Sequence, residues 1–331
     1  KLDGADFLLT GTGNTKGEVE LTATVSNGKL HNILRLFKNS LMTEKYSKLV
    51  KDIAATSGNM DVKINLKGKI DNYEDETFLS RLTPSGNFNF KNNNITLNNK
   101  ISVKNLKGEL DFGQKQYGDF EFKLNNSKVN AKFSSKDGLD KIISGNNIDI
   151  ESLISSEKFE FSDIISELSK VEQYNFLKSL SNIDFYTKFN IKSQGLISIN
   201  NFDLSKLKNK GYILGLNSEK NKNIKFKSGI IKLNNENLFF DNFILNALDG
   251  NLQIKGTINK FLNNHPNPDI IVNLNNINLK ALENLNSKIK LNDGTIKTGK
   301  IEVKGDNIKL NSISMNYQSM PVFINANLRD I

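Results

Sequence analysis

Along most of the chain, apolar side chains recur at every second residue. Such a run suits a β-strand with one face on apolar matter and the other in water. Residues 237–258, NLFFDNFILNALDGNLQIKGTI, show the unit most clearly. Leu252, Ile254, Gly256 and Ile258 alternate with Asn251, Gln253, Lys255 and Thr257. Asp249-Gly250 fits the positive-φ centre of a tight hairpin turn. A two-residue turn sets Phe243, Leu245 and Ala247 opposite the same apolar set. The hairpin then has one apolar and one mostly polar face, and its role depends on what the apolar face touches.

The same alternation starts at Val19, Leu21, Ala23 and Val25, and Asn27-Gly28 is expected to end that strand; Gly11 to Gly17 is expected to be a turn. Leu30, Ile33, Leu34, Phe37 and Leu41 change to helical spacing, followed by Tyr46, Leu49, Val50 and Ile53. A period of two resumes with Met60, Val62, Ile64 and Leu66. It continues through Phe88 and Phe90, Ile95 and Leu97, Ile101 and Val103, Leu110 and Phe112, and Phe120 and Phe122. Asn92-Asn93-Asn94 is read as a gap between strands. A second helical stretch carries Phe161, Ile164, Ile165, Leu168 and Val171, after which alternation runs to Leu328. The expectation is a meander of short antiparallel strands with helical insertions near 29–56 and 150–181. Helices do not alternate one for one with strands, which argues against a parallel α/β sheet.

Composition narrows the chemistry. With no Cys there is neither a disulfide framework nor thiol chemistry. The two histidines, His31 and His265, have no second ligand at metal-binding spacing. Asp71, Glu74, Asp75 and Glu76 lack a calcium-ligand pattern and read as a solvated loop. No nucleophile motif occurs, and Gly11–Gly17 lacks the spacing of a phosphate loop. No catalytic residue, metal site or cofactor is therefore assigned, and the chain is not expected to be an enzyme. Lys and Arg exceed Asp and Glu by 45 to 36, a formal charge of +9. A solvated Lys-rich surface accounts for this; attraction to anionic lipid or glycolipid head groups is the sharper alternative. Nucleic acid is not expected, because the lysines are dispersed without an Arg cluster or an RNA-binding aromatic motif.

If about 18 strands lie side by side at ~4.8 Å, a sheet some 85 Å long results. An apolar face ~12 Å wide then offers about 1,000 Å², more than an ordinary monomer exposes. Such a face can close as a sandwich, lie under helices, or form a trough for an apolar ligand; the helical stretches are too few to cover it.

Gly108-Glu109-Leu110-Asp111-Phe112 through Asn130-Ala131-Lys132-Phe133, Ala247 to Gly256, and Asn292-Asp293-Gly294 to Gly305 carry a recurring order: a strand, an Asp-Gly or Asn-Gly turn, an alternating strand, a Gly. In this the chain resembles the AsmA-like envelope proteins, including the TamB and YhdP branches, which are similar in turn to bridge-like lipid-transfer proteins. The resemblance implies a long, curved antiparallel sheet forming a U-shaped hydrophobic groove. It also implies transport of phospholipid between bacterial inner and outer membranes, in the periplasm, with an inner-membrane anchor. The chain opens without Met or signal peptide and stops in strand rhythm. It is accordingly expected to be one elongated groove segment, 1–331, of a longer protein that meets membranes through other segments. The expected groove lining is Ile64, Phe88, Phe90, Phe120, Phe122, Phe189, Phe226, Leu252 and Ile254. The alternative is a set of tandem β-sandwich modules of about 100 residues in a non-enzymatic surface or adhesive protein.

Overall fold

The computed structural model describes residues 5–39, 53–69, 82–97, 101–138, 141, 147–170, 186–197, 206–217, 225–261, 266–281 and 293–329. The protein is mainly β, with its strands in a 17-stranded antiparallel sheet. The first strands are β1 (Asp6–Gly13), β2 (Glu18–Lys29), β3 (Ile53–Lys69), β4 (Thr83–Leu97), β5 (Ile101–Phe112), β6 (Gln116–Leu124), β7 (Ser127–Ser135) and β8 (Ile148–Glu160). They are followed by β9 (Tyr186–Ile197), β10 (Leu207–Asn217), β11 (Lys225–Asn234), β12 (Asn237–Ala247) and β13 (Gly250–Asn259). The last are β14 (Asn267–Asn278), β15 (Gly294–Lys304), β16 (Asn307–Tyr317) and β17 (Met320–Leu328). Helix α1 (Leu30–Asn39) follows β2, and α2 (Phe161–Leu168) follows β8. From β1 to β8 and from β10 to β17, each defined register joins consecutive strands. The strand exchange between sheets that marks Greek-key sandwiches is absent from these registers.

By contacts the chain divides into two compact units. The first contains Lys1–Ser155, Ser166–Asn175 and Lys192–Leu207; the second contains Ser156–Ile165, Phe176–Ile191 and Lys208–Ile331.

In the first unit, α1 lies on the apolar side of β2 to β4. Its Leu30, Ile33 and Leu34 occupy one helix face and pack against Met60 and Val62, with Val25, Ile64, Phe88 and Phe90 around them. Each of the three helix side chains is less than 10% exposed (3%, 7% and 9%). Burying each of them contributes about 1.5–3 kcal/mol. In the second unit two clusters form. One gathers Ile231, Leu233, Leu238, Phe243 and Leu245; the other gathers Ala247, Leu248, Leu274, Ile277, Ala281 and Ile313.

Strands here are longer than the sequence pattern suggests, because β-bulges join segments that look separate. Asn92-Asn93-Asn94 is not a gap: it lies inside β4, where the register on β5 shifts between Phe90 and Asn93. Asn92 takes φ +55°, the left-handed conformation that Asn tolerates, and the extra residue moves the apolar positions from Phe88 and Phe90 to Ile95 and Leu97. Asn27, which was expected to end its strand, is a bulge residue within β2 at φ +56°. Asn105 in β5, Asn242 in β12 and Ser312 in β16 adopt the same conformation beside register shifts.

Other differences are local. In the two stretches expected to be helical, helix spans Leu30–Asn39 and Phe161–Leu168. Residues 53–56 begin β3 and 150–160 belong to β8. There Ile53 and Ala55 pair with Leu97 and Ile95, and Ile150 and Ile154 pair with Ser135 and Ala131, so cross-strand partners outweigh helical spacing. Leu41, Tyr46, Leu49, Val50 and Val171 lie outside the described residues, as do His265 and the acidic loop from Asp71 to Glu76. Gly11 and Gly13 lie in β1, and the turn is confined to the residues that follow, closed by Gly17 N–H donating to the Asn14 carbonyl at 3.0 Å. The β12–β13 hairpin does have a two-residue turn, with Leu245 opposite Leu252 and Phe243 opposite Ile254. Its centre is Leu248-Asp249, at φ +55° and +61°, rather than Asp249-Gly250. Gly250 already pairs in β13, where a Cβ would lie 2.2 Å from the Asn276 carbonyl oxygen.

Candidate functional site

In an antiparallel sheet, directly opposed residues point to the same face. In the first unit one such row crosses eight strands: Phe7, Val25, Val62, Phe88, Leu110, Gly118, Phe133 and Ser152. The neighbouring row carries Met60, Phe90, Gly108, Phe120, Ala131 and Ile154. On the reverse face runs Leu8, Thr24, Lys63, Asn87, Asp111, Tyr117, Ser134 and Glu151. Only Leu8 interrupts its polarity. On that face Asn87 donates to Asp111 at 2.7 Å, and the Lys132 ammonium meets Asp119 at 2.6 Å. Its hydrogen bond to that carboxylate, together with its charge, raises the Lys132 pKa above the ordinary value.

Five of the expected lining residues, Ile64, Phe88, Phe90, Phe120 and Phe122, fall on this apolar face. Their rings make a strip. Phe88 stacks on Phe112 with centroids 4.9 Å apart, Phe90 meets Phe120 edge-on at 5.8 Å, and Phe120 meets Phe133 at 5.9 Å. All five are half-buried. Ile64, Phe88 and Phe90 pack beside α1, whereas Phe120 and Phe122 lie outside that cluster.

The second unit has its own row across eight strands: Ile213, Ile231, Phe240, Gly256, Ile270, Val303, Ile308 and Leu328. Leu252 and Ile254 face the same way, the first between Leu245 and Leu274, the second between Phe243 and Val272. Phe226 opposes Leu245 and reaches Phe243 at 5.4 Å between centroids. Phe189 is placed differently. Its ring meets that of Phe159 at 5.1 Å, two residues before Ile191, which packs against the Phe243 cluster.

Periodicity missed some members of these faces. Phe7 and Leu9 belong to β1, which Gly11 and Gly13 disguised as part of a turn; they are 53% and 58% exposed. Asn93 is fully buried on the apolar side of β4, with its amide donating to the Asn59 carbonyl at 2.9 Å and its own carbonyl oxygen without a partner. The only signal for it was the Asn run itself.

No titratable group stands in the two rows of the first unit's apolar face. Among the described residues, no group of three or more His, Cys, Asp or Glu is placed to hold a metal ion. No described helix is long and apolar enough to cross a membrane. Two concavities among the described residues are polar. One is lined by Asp293, Gly294, Thr295, Asn316, Gln318 and Ser319; the other by Asn92, Asn105, Lys107, Glu121, Phe122, Lys123 and Lys128. The extended apolar faces are the candidate site. Compared with protein-family models, curated proteins and solved structures, the chain gives no match.

Proposed function

We propose that the apolar sheet faces bind phospholipid acyl chains, and that the chain is a segment of a lipid-transfer bridge between the inner and outer membranes of a bacterial envelope. The supporting observation is the pair of eight-strand rows, mostly apolar, on one face of each unit. An acyl chain of about 16 carbons gains on the order of 12 kcal/mol by leaving water, at ~0.8 kcal/mol per CH₂. A surface that carries it needs apolar contact at every step and no reactive group. Alternating strands supply such contact while the reverse face keeps the protein hydrated. The periplasmic location, the direction between two membranes and an anchor outside this chain rest on the resemblance to AsmA-like proteins.

The reading is tested with photo-crosslinking residues at Phe90, Phe122 and Ile254, with Lys255 as the opposite-face control. Purified from a bacterial envelope, the first three variants should capture phospholipid and the fourth should not. Equal labelling at 254 and 255 would remove the role assigned to the apolar face.

A further inference from the structure

The polar face of the first unit departs from its own charge pattern at one place. Three successive cross-strand rows on β5, β6 and β7 read Glu109–Asp119–Lys132, Lys107–Glu121–Asn130 and Lys104–Lys123–Lys128. The first two mix signs: Asp119 takes the Lys132 ammonium, and Glu121 stands opposite Lys107. The third is lysine on all three strands. Like charges directly opposed weaken a sheet, and strands lie only about 4.8 Å apart.

The surroundings neutralise this row only at Lys128. Glu121 is engaged by Lys128 at 2.7 Å. Glu167 of α2, which bonds to the same strand β5, accepts the Ser102 N–H at 2.7 Å and the Lys170 ammonium at 2.6 Å. Among the described residues, Lys104, Lys107 and Lys123 have no carboxylate within ion-pair distance. Lys107, Lys123 and Lys128, with Glu121 and Phe122 between them, also converge on a concavity at the bulges of β4 and β5, where the left-handed Asn92 and Asn105 complete the wall.

We propose that this concavity, with the lysine row at its rim, binds a phosphate-bearing anion. Several ammonium groups one strand apart suit a group with several anionic oxygens better than a carboxylate, and lysine binds phosphate as a point charge. Its lysines lie on the face opposite the acyl-binding surface, Phe122 being the lining residue shared with that surface, and anion binding there does not depend on that function. The phosphate can come from solution or from a lipid head group.

The test uses the full chain at low salt. Inorganic phosphate is titrated with a calorimetric readout, and vesicles of phosphatidylcholine with or without one-fifth phosphatidylglycerol are tested by co-sedimentation. The variants are K104Q/K123Q, the conservative K104R/K123R, and K63Q/K255Q as a control with the same loss of charge elsewhere. Losing a charge-assisted contact should weaken binding roughly tenfold or more in K104Q/K123Q. K104R/K123R and K63Q/K255Q should stay near wild type. Binding of phosphate identifies a soluble-anion site, and binding of only the anionic vesicles identifies a head-group site. Equal weakening in K104Q/K123Q and K63Q/K255Q would reduce the effect to net charge and overturn the proposal, as would the absence of binding to both probes.

Discussion

The two units use one alternation rule with different side chains. The central row of the first unit carries three phenylalanines, Phe7, Phe88 and Phe133, and sets Gly118 directly opposite Phe133. The corresponding row of the second holds one phenylalanine, Phe240, opposite Gly256 and otherwise among Ile, Val and Leu residues. On the first face Met60 and Val62 are buried under α1, while the rings of Phe88, Phe90, Phe120 and Phe133 are half-buried. In the second unit branched aliphatics interlock around Phe243, which is 0% exposed. A binary pattern of apolar and polar residues thus specifies a strand but not how tightly its apolar face closes. That depends on ring against branch, and on what lies opposite.

Phe243 is where the contrast should be largest. Phe243→Ala removes a ring in contact with Phe226 and Phe240, and should cost about 3–5 kcal/mol by chemical denaturation. Phe122→Asp in the first unit should leave folding largely intact, because water reaches that half-buried position. If Phe122→Asp is as damaging as Phe243→Ala, the first face is closed as tightly as the second and the distinction between them disappears.

The helix on the first unit comes next in size. Ile33→Ala should cost about 2–4 kcal/mol if α1 is held by its apolar face, since Ile33 packs between the helix and β3. It should also increase phospholipid labelling through a crosslinker at Phe90 by loosening the cover. Unchanged labelling would mean that α1 does not limit access to that part of the face.

Glycine replacement separates the units more finely. A Cβ on Gly118 would lie 2.3 Å from a ring carbon of Phe133 and 2.6 Å from one of Phe120. On Gly299 it would lie 2.4 Å from the terminal methyl of Ile313, which a rotamer change moves away. Gly118→Ala should cost about 1–3 kcal/mol, the range for overpacking, and Gly299→Ala less. Equal costs would indicate that rings and aliphatic branches yield equally.

Much of this architecture was legible from alternation alone. Registers place Ile64, Phe88, Phe90, Phe120 and Phe122 on one face, and Phe226, Leu252 and Ile254 on another, as parity required. Less legible was where strands stop. Asn at positive φ serves both a turn and a bulge, so Asn92 looks the same in either role. Its role is decided by β3 and β5, which continue to pair on both sides of it. Helical spacing misled for the same reason at Ile53, whose partner Leu97 is 44 positions away (97 − 53). The lysine row was equally hidden. Lys104, Lys123 and Lys128 look dispersed along the chain, and only the registers of β5, β6 and β7 set them side by side.

The smallest expected effect concerns how a bulge is held in the first unit. Asp61 on β3 accepts the Asn27 N–H at 2.8 Å at the β2 bulge and also pairs with Lys91 on β4. Burial acts to raise its pKa, but the Lys91 hydrogen bond, the Asn27 N–H and the Lys91 charge together hold it below the ordinary carboxylate value. A depressed folded-state pKa adds stability at pH values above the unfolded-state pKa, and this is lost as pH falls through the folded value. Asp61→Asn should therefore be less stable than wild type at neutral pH, by an amount that shrinks below about pH 4. The difference should be modest and salt-sensitive, because the two side chains are 37% and 45% exposed. Thermal midpoints of both proteins from pH 7 to pH 3, at two salt concentrations, measure it directly. A gap that stayed constant with pH would assign the effect to the neutral hydrogen bond at the bulge rather than to the charge on Asp61.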